Sequence, residues 1–529
     1  MDSDKNIYKK DVDFKELASQ DVEFKNILKP NGQVDFSDPE SVQQLTKSLL
    51  KRDFGLKLTL PPNRLCPAVP NRLNYLLWIQ DLLDTSTPSP SLNDNHDPSR
   101  PVIGLDVGTG ASAIYPLLGC AHYPTWRFAC TDTDPHSLTF ARQNITQNNL
   151  SNRVRLLETD PDGPLLPLDD LGLDTIDFTL TNPPFFTSPD DLLASATLKS
   201  RPPSSVCTGA PSEMVTPGGE TAFVARMIAE SAPLGQRVRW FTAQLGKLGS
   251  VATVVKELKE KGVKNWAVGE LVQGRTKRWV VGWSWVGWRP AVRVARGAVG
   301  VAGGDLPFPG ESVAVKVSLE EEEVGRRVDE AVRGLGGKWK WDADGGVGVG
   351  FVARNTWSRA ARRKGGNAEE EGDEMAFGFR IYVREVPGGE EKPAETEVVV
   401  RWLKGDDSGY NNDAAYKSES ESDNINDGNA VTKGKANNQG QKSKSLYQAQ
   451  PQPQRQEAAP NGNAAQQSRD EAREKLGYRA AAIRESRIKD RPVNKKASDS
   501  ALKIKIELDL EVEVDLYARV KGDVTIGLM

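Results

Sequence analysis

An alternation of short apolar runs with helical patterns between residues 100 and 290 constrains the fold of this chain more than any other feature. Five runs have the length and composition of buried strands, and a loop or a helical stretch follows each of them. They are VIGLDV at 102–107, RFACTD at 127–132, VRLLE at 154–158, IDFTLTN at 176–182 and VRWFTAQL at 238–245. Strands that alternate with helices form parallel sheets with right-handed crossovers. We therefore predict an α/β fold with a doubly wound sheet over residues 96–295.

The segments on either side of this core differ from it in composition. Residues 1–95 combine charged helical stretches with a proline-rich connection, which predicts an N-terminal helical annex. Residues 300–404 carry a helical pattern through 320–335 and two strand-like runs, AFGFRIYV and TEVVVRWL. That mixture predicts a second, smaller α+β domain.

The end of the chain divides into a polar stretch and a patterned one. Residues 405–499 are rich in Asn, Gln, Ser, Lys and Asp, so they bury too little apolar surface to offset the entropy of ordering. We predict that they form a disordered linker. From 502 to 516 every even-numbered residue is apolar and every odd-numbered one is charged. This period of two predicts a half-buried strand, by which 500–529 joins the domain at 300–404.

A glycine-rich turn follows the first predicted strand. Gly108 and Gly110 allow a tight turn and the close approach of a ligand, and Asp106 lies at the end of the strand before them. Asp132 ends the next strand, where a carboxylate can accept both hydroxyls of a ribose. The spacing Gly108-x-Gly110-x-x-Ala113 suits a nicotinamide dinucleotide as well as the cofactor of a methyltransferase. A turn that serves packing alone is a third interpretation.

The tetrapeptide Asn182-Pro183-Pro184-Phe185 follows the fourth predicted strand and decides between these alternatives. Strand ends of a doubly wound sheet face one crevice, so this segment should lie beside the glycine-rich turn. The amine on a purine ring is a poor nucleophile, because its lone pair is delocalised. The Asn182 side-chain oxygen and the Pro183 carbonyl can accept hydrogen bonds from the two N–H groups of this amine. Such bonds favour a pyramidal nitrogen, which is the form that attacks a methyl group. Phe185 offers a face on which an extruded adenine can stack.

Composition excludes other classes of chemistry. The four cysteines have no CxxC spacing and the three histidines form no HxxxH motif, so we expect neither a disulfide framework nor a metal site. No apolar run approaches the roughly 18 residues of a membrane span, so we expect no membrane association. A net charge of −4 means that any RNA contact must come from local basic patches.

Several charged residues are candidates for contacts around the predicted crevice. Arg72 in the annex can bind a cofactor carboxylate, although a plain surface arginine is equally expected. Asp160 and Asp162 follow the third strand and can meet the adenine of the cofactor, or form a solvated turn. Substrate contacts are predicted for two basic segments, the long polar loop 201–209 and the run before Trp279. Their cations are Arg201, Arg275, Lys277 and Arg278.

The motifs GLDVGTGASAIYPLLG, TNPPFF, RPPSSVCTG and QGRTKRW, with VPNRLNYLLW upstream, closely resemble the methyltransferase-like protein 16 family. The resemblance covers roughly residues 10–290. It implies a Rossmann-like class I methyltransferase fold, S-adenosyl-L-methionine as cofactor, and methylation of adenine N6 in structured RNA. The RNA implied is U6 small nuclear RNA, with messenger RNA hairpins in some members. A nuclear location is also implied, and the cytoplasm stays open as a second one.

The resemblance also assigns roles to residues. It implies cofactor contacts at Arg72, Gly108, Asp132 and Asn182, catalysis at Asn182, Pro183, Pro184 and Phe185, and RNA contacts at Arg275 and Arg278. Asp132 stands where the family often has Glu. Two alternatives stay open, namely methylation of a protein glutamine through the same acceptors and a non-catalytic RNA-binding scaffold.

Overall fold

The computed structural model describes residues 5–87, 94, 96–188, 190–191, 209–274, 276–335, 337–353, 376–388 and 394–405, and the backbone of 501–502 and 518–519. The predicted linker beyond residue 405 and the rest of the strand predicted at 502–516 lie outside these residues. Two short strands, β13 (Ala501–Leu502) and β14 (Ala518–Arg519), pair with each other.

Four helices precede the sheet and form the predicted annex. They are α1 (Phe14–Gln20), α2 (Val22–Ile27), α3 (Pro39–Phe54) and α4 (Val69–Thr85). The α3 helix begins where Asp38 accepts the backbone N–H of Ser41 at 2.9 Å, and it ends at Gly55, whose φ of 66° an L residue rarely adopts. Most residues of α4 are buried. This helix therefore packs inside the molecule and carries Arg72 toward the sheet.

Seven strands form the central sheet, in the order β3-β2-β1-β4-β5-β7-β6. The strands are β1 (Val102–Val107), β2 (Trp126–Asp132), β3 (Val154–Glu158), β4 (Ile176–Thr181), β5 (Val238–Leu245), β6 (Asn265–Gln273) and β7 (Thr276–Ser284). The first five pair in parallel, whereas β7 runs antiparallel to β5 and to β6. The predicted doubly wound α/β sheet is confirmed.

Helices cover both faces of this sheet, which explains why its strands are apolar almost throughout. They are α5 (Ile114–His122), α6 (Pro135–Gln147), the short α7 (Pro211–Met214), α8 (Gly219–Leu234), α9 (Leu248–Glu260) and α10 (Val292–Ala295), with a 3₁₀ turn at Gly235–Arg237. At two points a glycine allows the backbone to pack closely against an aromatic ring of a neighbouring element. An added Cβ on Gly104 would overlap the Phe178 ring, and one on Gly119 would lie 2.5 Å from the Phe128 ring.

A five-stranded antiparallel sheet with one helix forms the C-terminal module, in the order β8-β12-β11-β10-β9. Its elements are β8 (Glu311–Val317), α11 (Glu321–Arg333), β9 (Lys338–Asp342), β10 (Val347–Val352), β11 (Phe377–Val386) and β12 (Glu395–Lys404). Val324, Val328 and Val332 recur along one face of α11 and are buried. The predicted smaller α+β domain is confirmed.

Among the contacts that join this module to the preceding chain is a cluster of charged side chains around Asp94. Asp94 accepts hydrogen bonds from Arg380, at 2.6 Å, and from Arg401. Both arginine side chains are almost completely buried, at 1% and 2% exposure. Arg401 also donates to the carbonyl of Thr85 at the end of α4, at 2.7 Å. Two buried cations therefore share this carboxylate.

Replacing Asp94 should destabilise the module. Asp94→Ala removes a carboxylate that accepts hydrogen bonds from two buried guanidinium groups, and loss of such a partner typically costs about 3 kcal/mol in the free energy of unfolding. Urea denaturation of the full chain measures the change. The control is Asp97→Ala, since that side chain only caps an exposed turn at Ser99. Equal stability of the two variants would contradict the expectation.

Candidate active site

The carboxyl ends of β1 and β4 open into one cavity, at the point where the strand order reverses. Gly108, Thr109 and Gly110 form one wall of this cavity. Asn182, Pro183 and Pro184 form another, and Thr181 joins the two, because its hydroxyl donates to the carbonyl of Val107 at 2.9 Å. The structure thus brings together the two motifs that the sequence analysis paired.

Backbone hydrogen bonds hold the glycine-rich turn against the end of β2. The N–H groups of Gly108 and Thr109 both donate to the carbonyl of Thr131, at 2.9 Å each. Gly110 donates its N–H to Oδ2 of Asp132 at 2.8 Å. Both glycines have positive φ, of 76° and 65°, which favours glycine at these positions. The turn therefore fixes the Asp132 carboxylate at the cavity wall.

Asp132 keeps the capacity to bind hydroxyl groups. Its second oxygen, Oδ1, accepts the N–H of Asp134 at 3.0 Å, and burial raises the pKa of the carboxyl. Each carboxylate oxygen can accept more than one hydrogen bond. Asp132 can therefore accept hydroxyls of a ribose while it holds the turn.

Asp106 has an unusual environment for a carboxylate. It is 1% exposed, and its Oδ2 accepts the Thr109 hydroxyl at 2.7 Å. Its other oxygen, Oδ1, has no hydrogen-bond partner among the described residues. Burial raises the pKa of this group to about 7. Asp106 does not itself line the cavity but lies behind the glycine-rich turn, which it supports through Thr109.

Arg72 faces the same cavity from α4. One guanidinium nitrogen donates to the hydroxyl of Tyr115 at 3.1 Å, and the guanidinium carbon lies 5.5 Å from the centre of that ring. Arg72 forms no ion pair with any residue that the structure describes. Its fork is thus able to bind the carboxylate of a ligand, which favours the cofactor role over that of a surface arginine.

Asn182 lies at the end of β4 with its side chain anchored. Its Oδ1 accepts a hydrogen bond of 2.7 Å from Nε2 of Gln244 on β5. Phe185 lies further out, beside Gly246, and does not line the cavity itself. The guanidinium carbon of Arg278 lies 5.8 Å from the centre of the Phe185 ring. An aromatic face and a cation therefore stand next to the Asn-Pro-Pro wall.

The remaining predicted residues lie in different places. Asp160 lines the cavity, whereas Asp162 is exposed and donates its backbone N–H to Asp160 at 2.8 Å. Lys277 is exposed and pairs with Glu270 at 2.7 Å. Arg201 and Arg275 lie outside the described residues.

Two further carboxylates shape the site, the half-buried Glu213 and the buried Glu220, and neither was predicted from the sequence. Glu213 lines the cavity and accepts the N–H groups of Leu65 and Ala210, at 2.9 and 2.8 Å. Burial raises its pKa. Glu220 accepts the N–H of Gly246 at 2.6 Å, together with the N–H of Lys247 and the hydroxyl of Ser250, and so fixes the turn beside Phe185. Glu213 caps the short helix that follows Ala210, but its bond to Leu65 and the bonds of Glu220 join segments that are far apart in the chain, so no local motif indicates them.

Neither a metal centre nor a membrane span is found in the described part of the chain. No three His, Cys, Asp or Glu side chains there lie close enough to hold a metal ion. None of its helices combines the length and the apolar character needed to cross a bilayer.

Asp106 should make the stability of the cofactor-free protein depend on pH. A carboxyl with a higher pKa in the folded than in the unfolded state stabilises the fold below about pH 4, and this contribution is lost as the pH rises through about 7. Asp106→Asn removes the titration. The melting temperature of the variant minus that of the wild type should therefore increase as the pH is raised from about 5 to about 8.

Asp97→Asn is the matched control for that pH series. Hydrogen bonds from Ser99 lower the pKa of the Asp97 carboxyl, so its titration lies below the tested range. The difference between this variant and the wild type should stay constant. If the melting temperatures of Asp106→Asn and the wild type changed in parallel with pH, Asp106 would not be the source of the pH dependence.

Comparison with known proteins identifies the same core. A family model described as RNA methyltransferase matches residues 3–287. The U6 small nuclear RNA (adenine-(43)-N(6))-methyltransferase of Schizosaccharomyces pombe is 37% identical over 335 residues, which cover 63% of this chain and 83% of that protein. The human RNA N(6)-adenosine-methyltransferase METTL16 is 41% identical over 290 residues, which cover 53% of this chain and 50% of that protein. The chain thus spans most of the fission yeast relative but only about half of the human one.

Solved structures of the human relative also match. The METTL16 catalytic domain in complex with MAT2A 3′UTR hairpin 1 is 39% identical and covers 54% of this chain and 95% of that one, with a TM-score of 0.48. The N-terminal domain of human METTL16 in complex with SAH is 36% identical and covers 54% and 98%, with a TM-score of 0.44. Since the family model spans more than half of the residues and the fission yeast protein is matched over most of its length, this chain belongs to the RNA methyltransferase family.

Proposed function

We propose that this chain transfers the methyl group of S-adenosyl-L-methionine to the N6 nitrogen of an adenine in a structured RNA. The observation that carries the proposal is the single cavity shared by the glycine-rich turn and the Asn-Pro-Pro wall. The fission yeast and human relatives are both named as RNA adenine-N6 methyltransferases, which supports N6 as the atom that is methylated. RNA is also bound in a solved structure of the human protein.

The cofactor site is assigned to four side chains around the glycine-rich turn. Asp132 accepts ribose hydroxyls, Arg72 binds the carboxylate of the methionine portion, and Asp106 holds the turn in place from behind through Thr109. For the adenine end we assign Asp160 in place of Asp162, because Asp160 lies on the cavity wall. When bound, the cofactor supplies an electrophilic methyl group on a sulfonium sulfur.

The Asn-Pro-Pro wall acts on the nucleophile. Asn182 Oδ1 and the Pro183 carbonyl accept the two N–H bonds of the adenine amine, which draws its lone pair out of conjugation with the ring. The same oxygens stabilise the positive charge that develops on the nitrogen as it is alkylated. The prolines restrict the backbone that presents these acceptors. No side-chain nucleophile is needed for this step.

Asn182 should be essential for methyl transfer. Asn182→Ala removes one of two acceptors, so the rate at saturating cofactor and RNA should fall by about 10²- to 10³-fold. The assay combines radiolabelled S-adenosylmethionine with U6 RNA, with a glutamine-containing peptide, or with neither. The control is Asn152→Ala, in an exposed turn that precedes β3 and does not line the cavity, which should retain wild-type activity.

The same assay separates the alternatives. Label on RNA alone supports the proposal. Label on the peptide would establish a glutamine methyltransferase, and binding of RNA without label in any substrate would establish a non-catalytic scaffold.

Arg278 is proposed to bind the RNA beside the extruded base. Its guanidinium is half-buried, lies over Phe185 and forms no ion pair with a described residue. Burial and the nearby Arg72 lower its pKa, and the charge of Glu220 offsets only part of this effect. A phosphate would supply the remaining compensation. Arg201, Arg275 and Lys277 are proposed as further RNA contacts around it.

The salt dependence of RNA binding should distinguish Arg278 from its neighbour. Arg278→Ala should lower RNA affinity about tenfold and reduce the slope of log K against log salt by about one. Lys277→Ala should have a smaller effect, because Glu270 already neutralises that ammonium group. Filter binding at several salt concentrations measures both. Identical slopes for the wild type and Arg278→Ala would exclude a phosphate contact.

U6 small nuclear RNA is the proposed principal substrate, and messenger RNA hairpins are a second class. The fission yeast relative is a U6 small nuclear RNA methyltransferase, and the human structure contains a MAT2A 3′UTR hairpin. A nuclear location, with a cytoplasmic fraction, follows from these substrates as part of the proposal.

A further inference from the structure

Gln244 joins the proposed cofactor site to the proposed catalytic side chain. It lies on β5 with 1% of its surface exposed. Its Nε2 donates to Asn182 Oδ1 at 2.7 Å, and its Oε1 lies 3.5 Å from a guanidinium nitrogen of Arg72. The same nitrogen donates to the hydroxyl of Tyr115 at 3.1 Å. The contacts form a continuous chain from Arg72 through Gln244 to Asn182.

The chemistry of these groups fixes the direction of every hydrogen bond in the chain. A guanidinium group only donates, so the Gln244 carboxamide must turn its oxygen toward Arg72. The opposite orientation would place the amide hydrogens of Gln244 against those of the cation. The amide nitrogen of Gln244 therefore faces Asn182, and because it only donates, Asn182 must present its oxygen. Arg72 thus determines the orientation of a carboxamide that it does not contact.

That orientation matters because the two ends of an asparagine side chain have opposite properties. Oδ1 has two acceptor sites, one for Gln244 and one for an adenine N–H. If the carboxamide were rotated by half a turn, Nδ2 would take the place of Oδ1 and would point a hydrogen at the hydrogens of the amine. An amine could then neither bind nor be activated there.

We infer that Gln244 is a positioning residue, which holds Asn182 in the acceptor orientation and thereby selects an amino group over an oxo group on the base. This inference rests on the proposed adenine methylation. Packing alone does not require a glutamine at a fully buried position, since methionine has a similar volume and no polar atoms to satisfy. The two contacts of its amide distinguish Gln244 from a space-filling residue.

Two variants separate positioning from packing. In Gln244→Glu the introduced carboxylate accepts from Arg72 and accepts from Asn182 as well, so it forces Asn182 to present Nδ2. In Gln244→Met the Asn182 carboxamide has no anchor and samples both orientations. We expect kcat at saturating cofactor and RNA to fall by about 100-fold for Gln244→Glu and by about tenfold or less for Gln244→Met. A packing role would give the reverse order or no loss, and either result would overturn the inference.

A binding measurement tests the orientation of Asn182 without turnover. The probes are a U6 RNA fragment with adenosine at the methylated position and the same fragment with inosine there, whose O6 accepts where the amine donates. The wild type should bind the adenosine RNA more tightly than the inosine RNA, by about tenfold. Gln244→Glu should lose or reverse that preference, and Gln244→Met should lie between. Melting temperatures check that each variant is folded.

The outcomes distinguish this inference from the proposed function. A wild-type chain that labels U6 RNA, together with variants whose adenosine-to-inosine ratio equals that of the wild type, overturns only the role of Gln244. A wild-type chain that labels no RNA overturns the proposed function, whereas the ratio of binding constants still tests Gln244. Comparing ratios between variants cancels any difference between the two RNAs themselves.

Discussion

The pairing of β1 with β2 on one side and with β4 on the other is the constraint on which the site depends. Because β1 lies between them, the glycine-rich turn after it is held by the end of β2, and the Asn-Pro-Pro segment starts one strand away. Thr181 and Thr131 complete the arrangement through bonds to Val107 and to the turn. The loops that would bind two reacting ligands thus extend from neighbouring strands at the same edge of the sheet.

The annex completes this edge. Helix α4 is buried on most of its surface and places Arg72 against Tyr115 and Gln244, while the connection before it contributes the N–H of Leu65 to Glu213. Glu213 also holds Ala210 and faces Gly110 across the cavity. The cofactor site is therefore assembled from segments that are distant in the chain, and the annex is a structural part of it.

The sequence was sufficient for features that are local. Gly108, Gly110, Asp132 and Asn182 are recognisable because each stands at the end of an apolar run, and topology alone brings such ends together. Gln244 and Glu213 carry no such signal, since the partners of Glu213 at Leu65 and of Gln244 at Asn182 lie 148 and 62 residues away. The sequence did not show which of Asp160 and Asp162 lines the cavity, because the spacing of the two residues does not determine the direction of the turn that contains them. The β6–β7 hairpin was missed because its basic turn reads as a charged loop.

Asp94 has a consequence for how this chain can change in evolution. Its two arginine partners lie 286 and 307 residues further along the chain, yet all three share one buried cluster of charge. Loss of the carboxylate alone removes a charge partner from two buried cations, and loss of one arginine alone leaves the carboxylate with a single cation. Substitutions at these three positions should therefore be tolerated only when they occur together. Related sequences that carry this module should retain or replace all three residues, and such covariation in an alignment would indicate that the module is attached in the same way.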